Sequence, residues 1–132
     1  MANAGKEIYV TIWSRLKHLS HKVYPSLPGE VPYPFIHFHS MNTFPEIRNK
    51  SHETGRVSVR ADIWHDDIDQ MGTVLDIADD VIKLVRADMR TENFRLSPMP
   101  NGTVTNDLVD RTTGKTLKHY TISVELRYSE RR

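Results

Sequence analysis

No cysteine occurs in the sequence, which excludes a disulfide framework, a thiolate metal site and reactive-thiol chemistry. That absence is expected of a protein of intracellular origin. Long apolar runs are missing as well. No stretch approaches the roughly 20 apolar residues that cross a bilayer, so a soluble chain without a membrane partner is expected. The first twenty residues interleave Lys6, Glu7, Arg15 and Lys17 with apolar positions, unlike the unbroken apolar core of a secretion signal. Nor does one sign of charge dominate. The formal net charge is +1 with 27% charged residues, and basic residues are scattered among acids except in the run Arg127 to Arg132, itself interrupted by Glu130. This balance gives no electrostatic signature of a nucleic-acid partner, and the basic run reads as a solvated tail.

What is present suits one domain spanning residues 1–132. From Lys6 to about Leu19, Ile8, Ile12, Leu16 and Leu19 recur at spacings of four and three, which predicts a helix packed by one narrow stripe. Four prolines and Gly29 between Pro25 and Pro34 dictate an extended connector. Phe35 to His39 then alternates as a strand, with Phe35, His37 and His39 on one face and Ile36 and Phe38 on the other. Met41 to Gly55 is polar and lacks a clean period, which predicts a projecting loop or irregular hairpin arm. Arg56 to Trp64 alternates strictly, with Val57, Val59, Ala61 and Ile63 on the face to be buried.

A second helix is predicted over roughly Ile68 to Arg90. Met71, Val74, Ala78, Val81, Ile82, Val85 and Met89 share one stripe, Asp66, Asp67 and Asp69 favour its start, and Lys83, Arg86 and Arg90 favour its end. Three further strands follow: Phe94 to Met99, Gly102 to Val109 and Leu117 to Tyr128, divided by Pro98 to Gly102 and by Arg111 to Lys115. In the last of them Tyr120, Ile122, Val124, Leu126 and Tyr128 point one way. This order predicts an α+β fold, an antiparallel or mixed β-sheet packed on one face by two α-helices.

Catalytic chemistry finds little support in the residues. His37 and His39 share a strand face, and His65 beside Asp66 and Asp67 offers further ligands, so a metal-dependent enzyme built on His37, His39 and His65 is one open class. Without an H-E-x-x-H or similar spacing, these read more simply as ordinary surface or half-buried histidines. Gly114-Lys115-Thr116 imitates the end of a phosphate-binding loop, but the required earlier glycine is Val109, and the segment lies between strands, so a hairpin turn is expected. No serine occupies a nucleophile elbow and no acid pair is marked for proton transfer. The reading is therefore a non-enzyme without a cofactor. Trp13, Trp64, Tyr33, Phe35 and Phe44 could stack bases, yet without interleaved basic residues they suit a core or subunit interface. A small nucleic-acid-binding module using Arg48 to Arg60 is the other open class.

The amphipathic N-terminal helix, the proline-rich link into a strand (Val31-Pro32-Tyr33-Pro34-Phe35-Ile36), the polar arm and the charged alternating strand Arg56 to Trp64 together resemble the tail terminator and tail-completion proteins of long-tailed bacteriophages. The second helix around Met71 to Val85 and the closing strand His119 to Val124 extend that resemblance over nearly the whole chain. The resemblance implies a subunit of a homohexameric ring at the head–tail junction of a virion, made in the host cytoplasm. It also implies a tail-tube protein and a head-completion protein as partners, with DNA only in transit through the ring lumen. Head-side completion and minor capsid connector proteins are similar in size and form the alternative. The family supplies no residues that can be carried over one by one. The residues themselves nominate the polar arm as the interface, with Arg48, Lys50 and His52 as its candidates.

Overall fold

The computed structural model describes residues 3–48, 52–112 and 114–131. Helix α1 (Ala4–Leu16) opens the fold, capped by the Asn3 side chain, which accepts a hydrogen bond from the Lys6 backbone N–H at 3.0 Å. Ile8, Ile12 and Leu16 are wholly buried, and each such side chain contributes about 1.5–3 kcal/mol relative to exposure. The helix ends three residues before the predicted limit. His18 and Leu19 donate to the carbonyls of Arg15 and Leu16, a tight i→i+3 turn that still leaves Leu19 packed on the core.

Six strands form one mixed sheet in the order β1-β2-β3-β6-β5-β4: β1 (Val23–Tyr24), β2 (Phe35–Arg48), β3 (Glu53–His65), β4 (Met89–Arg90), β5 (Phe94–Asp110) and β6 (Leu117–Glu130). Among the described residues only the β1–β2 pair is parallel. The Tyr33–Pro34 peptide at the entry to β2 is cis. Helix α2 (Met71–Val85) lies with α1 on one face of this curled sheet; α1 touches β2 and β5, and α2 touches β3 and β6. Between the layers sit Val57, Val59, Ala61 and Ile63 of β3, Ile122, Val124, Leu126 and Tyr128 of β6, and Val74, Ala78, Val81 and Val85 of α2. The predicted fold class is the one observed.

The departures are local. Of the two forms expected for Met41 to Gly55, the irregular hairpin arm is the one observed: β2 and β3 stay paired out to Arg48 opposite Glu53. Register shifts between Phe38 and Ser40 and between Pro45 and Ile47 erase the period of two that would have revealed the strand. At Gly55 the packing leaves no room for a side chain. An added Cβ would stand 2.6 Å from the Phe44 carbonyl oxygen and 2.7 Å from the ring of Tyr128, whose hydroxyl donates to Glu53 at 2.9 Å.

Helix α2 is shorter than predicted at both ends. The acidic residues 66, 67 and 69 precede it and none lies in its first turn. Met89 is buried as expected, but from β4, opposite Leu96. A residue four beyond Val85 continues a helical stripe and also suits an inward strand position, so periodicity could not separate the two. Residues 98–102, predicted to divide two strands, are instead a bulge within β5. Pro98 opposes Leu126 and Thr103 opposes Val124, so residues 99–102 face Glu125 alone, with Asn101 at φ 57°.

Elsewhere the ends are tied by side chains. Glu7 of α1 accepts from the Thr91 hydroxyl at 2.7 Å and from the backbone and side-chain N–H of Asn93 at 3.0 and 2.8 Å, clasping the β4–β5 turn. Burial raises the Glu7 pKa, but those bonds outweigh it and hold the carboxyl below its ordinary value.

Candidate functional site on the open face of the sheet

Opposite the helices, the sheet face is lined by the alternate residues of β2, β3 and β6. Strand register brings His37 beside Asp62 and Trp64 beside His119. Asp62 is 2% exposed although it belongs to the face that no helix covers. Arg60, two residues away and on the same face, donates to both of its oxygens at 3.0 and 3.2 Å, and Nε2 of His119 lies 3.0 Å from Oδ2. The His119 ring stacks on the Trp64 indole with centroids 3.8 Å apart and planes 10° from parallel. His37 meets His39 edge to face at 5.3 Å.

The electrostatics follow from this geometry. Burial raises the Asp62 pKa, and the hydrogen bonds from Arg60 and His119 more than offset it, so the carboxyl is held below its ordinary value. Burial lowers the His37 pKa and the charge of His39 lowers it further, which favours the neutral ring. An Asp–His pair is half of a nucleophile-activating relay, but among the described residues no serine or threonine hydroxyl is hydrogen-bonded to His119, and Trp64 covers one face of its ring. The cluster satisfies a buried charge and ties β6 to β3.

The conceived metal site does not come together. Strand alternation puts His65 with Ala61 and Ile63 on the helix face, whereas His37 and His39 belong to the open face. His65 is occupied locally, with Nδ1 accepting from the Asp67 N–H at 3.1 Å and lying 3.3 Å from Asp66. Among the described residues no group of three or more His, Asp and Glu side chains is placed to hold a metal ion. The aromatic residues are likewise dispersed. Trp13 stacks against Phe38 beneath α1, Tyr33 and Phe35 form a small cluster with Tyr24, and Phe44 lies under Arg56. They offer no shared platform for bases. Gly114, at φ 81°, sits in the turn between β5 and β6, where left-handed backbone favours glycine.

The interface candidates lie at the far end of the β2–β3 hairpin. Arg48 closes β2 opposite Glu53; Lys50 lies outside the described residues; and His52 is partly buried, with an Nδ1 that has no hydrogen-bond partner among the described residues. Just behind the tip, Arg56 lies 5.2 Å over the Phe44 ring and 3.5 Å from both Glu46 and Glu125. Reasoning from sequence did not single out Asp62, Arg60 and His119. A charged residue within an alternating strand reads as solvated, and only the β3–β6 register reveals that a histidine 57 positions later covers it.

No protein-family model matches the chain, and no curated protein matches it in sequence. Among solved structures it is similar to a chain of the virion of a native gene transfer agent (GTA) particle, with a TM-score of 0.70 at 13% identity. The likeness covers 99% of this chain and 100% of that one, and at this identity it is a likeness of fold from one end to the other.

Proposed function

We propose that the chain is a structural virion protein that forms a ring at the head-proximal end of a phage tail, ends tail-tube growth and presents the surface that joins the head. The observation that carries this reading is the end-to-end likeness to a virion chain of a phage-like particle, with neither chain leaving a substantial part unmatched. The order of elements that resembles tail terminators in sequence supports the same reading. So does the absence, among the described residues, of a hydroxyl bonded to His119 or of a metal-holding cluster. In this reading the paired β2–β3 arm, including Arg48, Lys50 and His52, reaches a neighbouring subunit or the tail tube.

The test has two parts. Native mass spectrometry and negative-stain microscopy of the purified chain should show a closed ring, expected to be a hexamer. In a phage from which the gene is removed, tails of uncontrolled length are expected. Normal tails lying beside unjoined heads would assign the protein to the head side, and normal infectious particles would refute a virion role.

A further inference from the structure

At the end of the sheet where β4 and β5 pair, a cleft of about 650 Å³ is lined by Arg15, Arg90, Arg95 and Arg127, with Asp88 as its one acid. Arg90 and Arg95 are direct cross-strand partners. Like charges placed opposite each other destabilise a strand pair unless an anion answers them. Among the described residues no carboxylate lies in ion-pair contact with Arg15, Arg90 or Arg95, and Arg127 reaches only Glu46, at 3.9 Å. Four arginines from α1, β4, β5 and β6 thus line one concave surface, and three of them, Arg15, Arg90 and Arg95, have no ion-pair partner among the described residues.

The matching charge lies at the other end of the same molecule. Asp66, Asp67 and Asp69 are all exposed in the loop after β3, and no cation other than His65 pairs with any of them among the described residues. The register of β6 gives the separation. Ser129 lines the cleft, whereas Lys118 opposes His65 at the acidic end, and 11 residues of strand span about 37 Å. One end of the subunit is basic and concave, and the opposite end is acidic and exposed. That is the arrangement a head-to-tail contact needs, because such a contact uses two different surfaces of each copy.

We infer that the arginine cleft receives the acidic β3–α2 loop of a second copy of this chain, and that this charged contact sets the direction and register of the ring. The inference rests on the ring reading above. A nucleic-acid backbone suits the cleft less well. The basic surface is confined to one end, Asp88 stands within it, and the chain as a whole is nearly neutral, where a phosphate track needs an extended basic stripe.

Charge reversal tests it. Arg90→Glu with Arg95→Glu, and separately Asp66→Lys with Asp69→Lys, should each leave a folded chain by circular dichroism and abolish the ring in native mass spectrometry. A chain carrying all four changes should recover it, since each reversed cleft then meets a reversed loop. Raising the salt should dissociate the wild-type ring. A wild-type chain that stays monomeric overturns the ring itself. A wild-type ring that survives either pair of changes, or a four-change chain that fails to reassemble, overturns only the charged contact. So does a ring-forming Arg90→Glu, Arg95→Glu chain that has lost salt-sensitive binding to duplex DNA, because the cleft would then belong to phosphates.

Discussion

Asp62 faces away from the hydrophobic core, yet it is almost completely shielded by the groups that hydrogen-bond to it. A carboxyl held below its ordinary value of 3.8 stabilises the folded state at every pH above that value, and the contribution is lost as the pH falls through the lower folded-state value. Asp62→Asn should therefore cost about 1–3 kcal/mol at neutral pH, measured by urea denaturation, with the deficit shrinking below pH 3.8. A deficit that stays constant down to pH 2 would mean the loss is one of shape rather than charge. His37 acts at a higher pH. Its neutral form is favoured, so the unfolded chain takes up the proton first, and stability falls as the pH drops below 6.5. His37→Asn should flatten that slope. Little of this was visible in the sequence, because Asp62 and His119 become partners only through strand register, while the pair His37 and His39, which spacing did suggest, gathers no third ligand among the described residues.

Among the elements, those with an uninterrupted period were legible: α1, the Val57–Ile63 face of β3, the body of α2 and β6 each bury the residues their spacing marked. The long strands β2 and β5 were legible only in pieces, Phe35 to His39 of the first and the two halves of the second, because each contains a register shift, and two prolines in β5 imitate a turn. Val81 is 1% exposed in the middle of the α2 stripe, so Val81→Asp buries an unpaired charge and should cost several kcal/mol. Lys83, exposed and paired with Asp79 at 2.8 Å, should tolerate replacement by alanine with little change in Tm. Equal losses in the two variants would mean the buried face is misassigned. The hairpin arm gives a third prediction. Replacing residues 49–52 by Asn-Gly leaves Arg48 and Glu53 to be joined by a two-residue turn, and should preserve folding while weakening the ring closure or tail-tube docking proposed above. Unchanged oligomers together with tails of normal length would exclude the tip as a contact.

For the molecule as a whole, the arm and the arginine cleft stand at the same end, since Thr54 pairs with Ser129. The acidic loop stands at the other, so the chain is polar along its strands, as the head-to-tail ring proposed above would require. The strand order has a further consequence for how the chain comes into being. The last strand in sequence, β6, lies inside the sheet, between β3 and β5. While the ribosome has delivered only residues 1–116, β1-β2-β3 and β5-β4 are two unjoined pieces flanking an empty slot, and Tyr120, Ile122, Val124, Leu126 and Tyr128 are missing from the core. Folding therefore waits for synthesis of β6. A nascent chain arrested before Leu117 should be digested readily by protease, whereas one arrested on a linker beyond Glu130 should resist. On the virion role proposed above, an interrupted translation product would thus lack the folded surfaces through which it could enter, and spoil, a growing particle.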